Sequence, residues 1–192
     1  MRVLAVSALL WSLVPHLGVH TPTADLCDVA VDRREYVVRG ASAQEIRRSM
    51  LSSGPRDSTG APRFAVTEWT VEWNWAQPKR GRIDADTITL SCSATMLLPR
   101  YEPENGAAPE LTDLWMNFAK RLERHELNHL EHVRRIAPEI RERIRRAARK
   151  SDSVSPALAN RIAHRVIREM RALDEAYDSH TDHGRTEGVW SL

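Results

Sequence analysis

Two histidines and a glutamate in the stretch RHELNHLEH, residues 124–132, have the types and spacing of a metal site. His125, Glu126 and His129 spell the pattern His-Glu-x-x-His. On a helix, residues four apart lie one turn above each other, so both imidazoles can bind one zinc ion at about 2.0 to 2.1 Å. Glu126 then reaches a zinc-activated water and accepts its proton as the water attacks a carbonyl. The pattern predicts zinc-dependent hydrolysis with Glu126 as the general base.

The pattern lies on the apolar face of a predicted helix. Apolar residues recur there at spacings of three and four, and His125, Glu126 and His129 share their stripe, which comprises Trp115, Phe118, Leu122, Val133, Ile136 and Ile140. An inward imidazole without a partner costs free energy on the order of a lost buried hydrogen bond. A metal ion bound by both rings would provide the missing partner. The alternative is that ordinary buried hydrogen bonds satisfy them.

Zinc needs a third protein ligand, which the local pattern does not supply. The metzincin pattern requires Gly and His where this chain has His132 and Arg135, and that class is therefore excluded. His132 lies about one turn beyond His129, so we expect it to support the ligands without being one. The remaining candidates lie on a later predicted helix and in the segment YDSHTDHG, residues 177–184; the helix offers Glu169, Asp174 and Glu175.

The N-terminal segment predicts export. An apolar run over residues 3–14 follows Arg2 and is too short for a permanent membrane span, but it fits the core of a secretory signal at residues 1–24, whose cleavage site is uncertain. A buried N-terminal helix is the alternative. In an oxidising compartment Cys27 and Cys92 can form one disulfide, although two unpaired buried cysteines are possible. We expect a periplasmic or extracellular protein without a stable membrane anchor once the signal is removed.

The composition indicates an ordinary globular protein. Of the 192 residues, 42% are apolar and 28% are charged, and the formal net charge is +2. Arginines concentrate in the C-terminal half without the interleaved aromatic residues of a nucleic-acid platform, so we expect no nucleic-acid partner. The length predicts one domain over residues 25–192, mainly sheet over 25–108 and mainly helical over 109–192.

Local patterns predict the elements that position the site. The segments REYVVRG, TEWTVEWNW and ITLSCSATMLLP suit strands, the last ending at Pro99, and Ser42 can cap a short helix between the first two. Pro138 should interrupt the histidine helix, and a further helix should run from Ser155 to about Ala176, before an irregular tail. The predicted class is α+β. An N-terminal antiparallel sheet with one short helix packs on a helical half that carries a zincin-like His-Glu-x-x-His helix.

The chain resembles the predicted secreted zinc-dependent proteases of bacteria, a family catalogued as a bacterial domain of unknown function. The resemblance covers most of the chain after the signal and rests on YVVRGASAQEIRRSM with SGP, TEWTVEWNW, Cys92 with LLPRY, HELNHLEH and YDSHTDHG. The family's terminal pattern Tyr-Asp-x-x-Thr-x-His-Gly is matched by Tyr177, Asp178, Thr181, His183 and Gly184. The resemblance implies a zincin-like metallopeptidase domain and makes His183 the first choice for the third ligand. Carboxylates such as Glu175 or Asp178 remain alternatives.

The chemistry of this motif also suits supporting roles. Asp178 or Asp182 can accept the second imidazole proton of a ligand, and Tyr177 can donate a hydrogen bond to an oxyanion opposite the zinc. Packing at a helix end is the alternative role for Tyr177. The predicted function is an exported zinc metallopeptidase that acts on a peptide or protein substrate. The alternatives are a zinc-stabilised periplasmic binding module without turnover, and a cell-wall amidase with the same zinc chemistry.

Overall fold

The computed structural model of the protein describes residues 26–57, 59–105, 107–151 and 153–192. The predicted signal peptide, residues 1–24, lies outside them. Within these ranges, no helix has the length and apolar character that crossing a membrane requires. The elements in chain order are β1 (Val29–Gly40), α1 (Ala43–Ser53), β2 (Val66–Asn74), β3 (Thr89–Pro103), α2 (Pro109–Ile136), α3 (Glu139–Ser151) and α4 (Pro156–Thr181).

The three strands form a mixed sheet in the order β1-β3-β2. The predicted α+β class, with the sheet before the helical half, is confirmed. β2 pairs antiparallel with β3, as a hairpin should, but β1 pairs parallel with β3, so the antiparallel prediction was wrong for β1. The connection explains the difference. The chain leaves β1 through α1 and enters β2 at the far edge, and β3 then returns between them, which places it parallel to β1.

The period-two patterns place their apolar residues on one face, as predicted. The buried side chains of this face include Val71, Cys92, Ala94 and Met96, while the alternate residues Glu68, Thr70 and Glu72 are exposed. β3 continues past Pro99, contrary to the prediction. Pairing with β2 ends at Leu97, so beyond that point β3 has one unpaired side, where a residue without an N–H is tolerated.

A disulfide joins the start of the described chain to the middle of the sheet. Cys27 is bonded to Cys92, as predicted, across a sequence separation of 65 residues. The backbone N–H of Cys27 also donates to the carbonyl of Arg134 on α2, at 3.1 Å. The segment before β1 is therefore attached both to the sheet and to the helical half.

The helices and the sheet share two clusters of buried side chains. One cluster lies between the inner face of the sheet and helices α2, α3 and α4, and the other joins α1 to the first half of α2 and to Val189 in the tail. Pro138 separates α2 from α3, as predicted, and the Ser155 side chain caps α4 by accepting from the N–H of Leu158. α4 runs to Thr181, beyond the predicted end at about Ala176. Part of the expected irregular tail is therefore helical.

Candidate metal centre

The histidine pair on α2 points into the protein, as the apolar stripe predicts. His125, Glu126 and His129 are only 5%, 5% and 8% exposed. The Nε2 atoms of both histidines lie 3.2 Å from one and the same oxygen, Oδ1 of Asp178. Two imidazoles and a carboxylate thus converge, with their potential ligand atoms all within 4.8 Å of one another. Two nitrogens and one oxygen form a donor set that catalytic zinc sites use.

The structure favours Asp178 over His183 as the third ligand. The extra turn of α4 places Asp178 opposite the pair, whereas His183 lies beyond the helix in a left-handed turn. His183 Nδ1 is 3.6 Å from Asp178 Oδ2, and its side chain is 39% exposed. Two groups of the described residues could hold a metal ion, and neither contains His183. Glu175, another of the carboxylates considered, lines the same cleft but belongs to neither group.

The second ring nitrogen of each histidine is held by a carboxylate. Glu187 Oε2 lies 2.8 Å from His125 Nδ1, and Asp174 Oδ1 lies 3.1 Å from His129 Nδ1. Such acceptors fix the tautomer whose Nε2 is available to a metal and hold the ring in orientation. Sequence reasoning missed Glu187 and considered Asp174 only as a ligand. Glu187 is 62 residues from His125 and lies outside every recognised motif, so no local signal marks it.

Asp174 is the centre of a second polar group. Its Oδ1 atom also bonds His132 Nδ1 at 2.7 Å, and its Oδ2 atom accepts from Trp69 Nε1 at 2.7 Å. His129, His132 and Asp174 could themselves hold an ion, but His129 belongs to both groups. To bind a metal ion in each group, the His129 ring would have to use both nitrogens and so lose both its N–H protons. His132 and Asp174 therefore fit better as support for His129, the type of role expected for His132.

Tyr177 lies against His125 and is not among the residues that line the cleft beside the pair. Its ring stacks on that of His125, with centroids 4.9 Å apart. The hydroxyl accepts from Asn128 Nδ2 at 2.7 Å and donates to Glu187 at 2.9 Å. Burial, with the hydrogen bond to Glu187, raises the pKa of Tyr177 to about 12. These contacts support a role in positioning Glu187 and do not favour the predicted contact with an oxyanion.

The turn after α4 places the tail beside the pair. Asp182 ends α4 in the left-handed conformation and pairs with Arg185, so it does not take the imidazole-supporting role expected of it. Gly184 follows with a φ of +79°. A Cβ atom at Gly184 would lie 2.7 Å from Val189 Cγ2 and 3.3 Å from His125 Cγ. Only glycine permits both this backbone conformation and this close approach.

Glu126 is buried and hydrogen-bonded to the sheet. Thr67 on β2, a contact that sequence reasoning missed, donates from its hydroxyl to Glu126 Oε2 at 2.7 Å. Burial raises the pKa of Glu126, against the opposing effects of Thr67 and the two histidines. A raised pKa makes a carboxylate a stronger base.

The surrounding carboxylates favour positive charge at the pair. Burial alone would lower the pKa of His129, but hydrogen bonds to Asp174 and Asp178 outweigh it and raise that pKa to about 10. Burial would likewise lower the pKa of His125, but its hydrogen bonds to Asp178 and Glu187 outweigh this effect and raise that pKa. Burial would raise the pKa of Asp178, but the two histidines hold it well below its usual range. A site that several carboxylates surround in this way suits a divalent cation.

The sequence was also compared with known proteins. A family model described as "Bacterial protein of unknown function (DUF922)" matches residues 33–184. The matched range contains His125, Glu126, His129 and Asp178, and it ends before Glu187. No curated protein and no solved structure matches the chain.

Proposed function

The chain belongs to this bacterial family of unknown function, and we propose that it is an exported zinc-dependent peptidase. One observation carries the proposal: His125 Nε2, His129 Nε2 and an oxygen of Asp178 converge beside the buried carboxylate of Glu126. The Cys27–Cys92 disulfide supports export, because such bonds persist in oxidising compartments.

The donor set and its surroundings fit zinc. His125, His129 and Asp178 would hold the ion, with Glu187 and Asp174 fixing the two rings. Imidazole ligands favour zinc and other transition metals over magnesium and calcium, which take oxygen ligands. When bound, zinc supplies a Lewis acid that polarises a substrate carbonyl and makes a coordinated water more acidic.

Glu126 would perform the proton transfers. Its carboxylate accepts the proton of the attacking water and later gives it to the leaving amine, the two steps that peptide-bond hydrolysis requires. The bond from Thr67 fixes the orientation of the carboxylate for both steps. Burial at 5% exposure limits competing exchange with bulk water.

The test compares Glu126→Gln with the wild-type protein on casein. We expect cleavage to fall by about 10²- to 10⁴-fold, the usual contribution of a general base, while the zinc content stays near that of the wild type. Glu123→Gln is the matched control, since Glu123 lies on the same helix but pairs with Arg33 at the surface. Cleavage at the wild-type rate by Glu126→Gln would reject the proposal.

Two further outcomes identify the alternative functions. In the first, the wild-type protein binds stoichiometric zinc and melts at a lower temperature after chelation, but it cleaves neither casein nor cell-wall fragments. That result identifies a zinc-stabilised binding module. Cleavage of wall fragments without cleavage of casein indicates an amidase, since the same ligand set can activate water against a different acyl group.

A further inference from the structure

The centre opens into a cleft of about 570 Å³, and one wall of this cleft is apolar. The wall is assembled from three separate parts of the chain, namely the entry to β2, the middle of α2 and the C-terminal tail. Its members are Phe64, Ala65, Val66, Leu122, Val189 and Trp190. We call these residues the apolar wall.

Trp190 is the exposed part of the apolar wall and is held from two sides. Its ring centroid lies 5.0 Å from that of Phe64, which is itself buried against Phe118. On another side, the guanidinium carbon of Arg47 lies 4.4 Å from the Trp190 centroid, a cation–π contact. Trp190 still keeps 37% of its surface exposed. A fixed, partly exposed indole offers apolar area to a ligand at little cost in side-chain entropy.

The tail that carries Trp190 is fastened to the metal centre. Arg121 on α2 donates to the carbonyls of Gly188, at 2.8 Å, and Ser191, at 2.9 Å. Val189, between them, is 1% exposed, and a Cβ atom added at Gly184 would lie 2.7 Å from Val189 Cγ2 and 3.3 Å from His125 Cγ. The tail that carries Trp190 is therefore fixed beside a proposed metal ligand. Trp190 and the histidine pair line the same cleft, so Trp190 can contact the residues next to a bond that is cleaved there.

A second wall of the cleft is acidic. α4 and its end contribute Asp174, Glu175, Asp178 and Asp182. Glu175 is exposed, and Arg63, a cation that also lines the cleft, is paired with Asp57 at 2.6 Å. Asp182 is paired with Arg185, and Asp174 and Asp178 are bonded to histidines. The exposed carboxylate of Glu175 is therefore the charge that attracts basic groups of a ligand and repels acidic ones.

From these two walls we infer the substrate class, an inference that rests on the proposed function. The cleft takes polypeptide segments in which a large apolar residue, preferably aromatic, lies beside the scissile bond and a Lys or Arg lies close by. The apolar residue packs on Trp190, and the basic residue faces Glu175. Segments with acidic residues around the bond are excluded by repulsion.

The test measures binding separately from turnover. The probes are four fluorescein-labelled decapeptide pools, which combine a central Phe or Ala with a neighbouring Arg or Glu and have random non-aromatic residues elsewhere. Fluorescence anisotropy reports their affinity for the zinc-loaded Glu126→Gln protein, in which turnover is suppressed. We expect the Phe–Arg pool to bind about tenfold more tightly than the Ala–Arg pool, a typical gain for filling an apolar subsite.

Variants assign the preference to the two walls. In the same Glu126→Gln background, Trp190→Ala should reduce the Phe preference to less than about twofold, and Trp190→Phe should retain most of it. Leu114→Ala, which removes an exposed apolar side chain elsewhere on α2, is the control and should change nothing. Glu175→Lys should abolish the preference for Arg over Glu. Thermal melting of each variant verifies that it is folded.

The outcomes separate this inference from the proposed function. Equal affinity for the Phe and Ala pools, or a Phe preference that survives in Trp190→Ala, overturns the substrate class. Cleavage of the pools by wild-type protein without such a preference leaves the peptidase proposal standing and rejects the inference. Selective binding without any cleavage by the wild type rejects the peptidase proposal, while the apolar wall remains a selective peptide-binding surface.

Discussion

Asp178 and His183 lie five residues apart in the chain but are held in different ways. Asp178 is on α4, where a packed helix fixes its distance to both histidines at 3.2 Å. His183 is in a left-handed turn, with its side chain 39% exposed. A metal ligand must be placed accurately, and regular elements place side chains more accurately than turns do. A carboxylate also balances the charge of a divalent cation, which a neutral imidazole does not.

The first prediction compares these two residues by their effect on zinc. Loss of a supporting partner costs about 10- to 100-fold in metal affinity, so loss of a ligand should cost more. We expect Asp178→Asn to retain much less than one equivalent of zinc after dialysis, and His183→Ala to retain nearly the wild-type amount. Elemental analysis of the purified proteins measures this, with Asp182→Asn as the control. The reverse pattern would identify His183 as the ligand.

At the scale of elements, the end of α4 decides the geometry of the centre. Asp182 and His183 adopt φ values of 49° and 50°, and Gly184 follows at 79°. Consecutive left-handed residues other than glycine are strained, so the surrounding contacts must hold the turn. The turn reverses the chain and brings Glu187 to His125 and Val189 beneath the cleft. A change in the turn should therefore affect the metal ligands.

The second prediction uses two glycines with similar backbones. Gly184→Ala and Gly81→Ala each place a side chain at positive φ, which costs roughly 1 to 2 kcal/mol. A Cβ atom at Gly81 meets nothing within 4 Å, whereas one at Gly184 collides with Val189 beside His125. Urea unfolding should show the larger loss of stability for Gly184→Ala, by a further 1 to 3 kcal/mol or so for overpacking. Chelator competition should show weaker zinc binding in that variant alone, and equal effects of the two changes would contradict the prediction.

At the scale of the whole molecule, the centre lies where the two halves of the chain meet. α2 supplies the histidine pair, β2 supplies Thr67, and α4 with the tail supplies the carboxylates. The two buried clusters and the Cys27–Cys92 disulfide hold these parts together. The stability of the fold and the geometry of the site are therefore linked through contacts between distant segments.

The third prediction concerns this disulfide. A bond that closes a loop of 65 residues restricts the unfolded chain, and the chain-entropy relation gives about 4 kcal/mol for a loop of that length. The double variant Cys27→Ser with Cys92→Ser should lower the free energy of unfolding by about 2 to 5 kcal/mol in urea titrations. Reductant should destabilise the wild type and leave the double variant unchanged. An unchanged urea midpoint in the variant would show that the bond does not stabilise the fold.

Local sequence patterns were enough to predict much of the fold. The period-two segments located β2 and β3 and their buried faces, and Ser42 and Ser155 marked the starts of α1 and α4. The apolar stripe of α2 predicted that the histidine pair faces inward. These features depend on the repeat of a strand or helix and on the residues at its ends. Both are properties of a few neighbouring residues, and a sequence shows them directly.

The third ligand, the supporting carboxylates and the parallel pairing of β1 depend instead on how distant segments meet. Asp178 faces the histidines because α4 continues to Thr181. Glu187 reaches His125 because the chain turns at Gly184. Hydrophobic periodicity shows which face of an element is buried, but it does not show which element covers that face. Partners far apart in the chain are brought together only when the core packs, so these contacts required the folded structure.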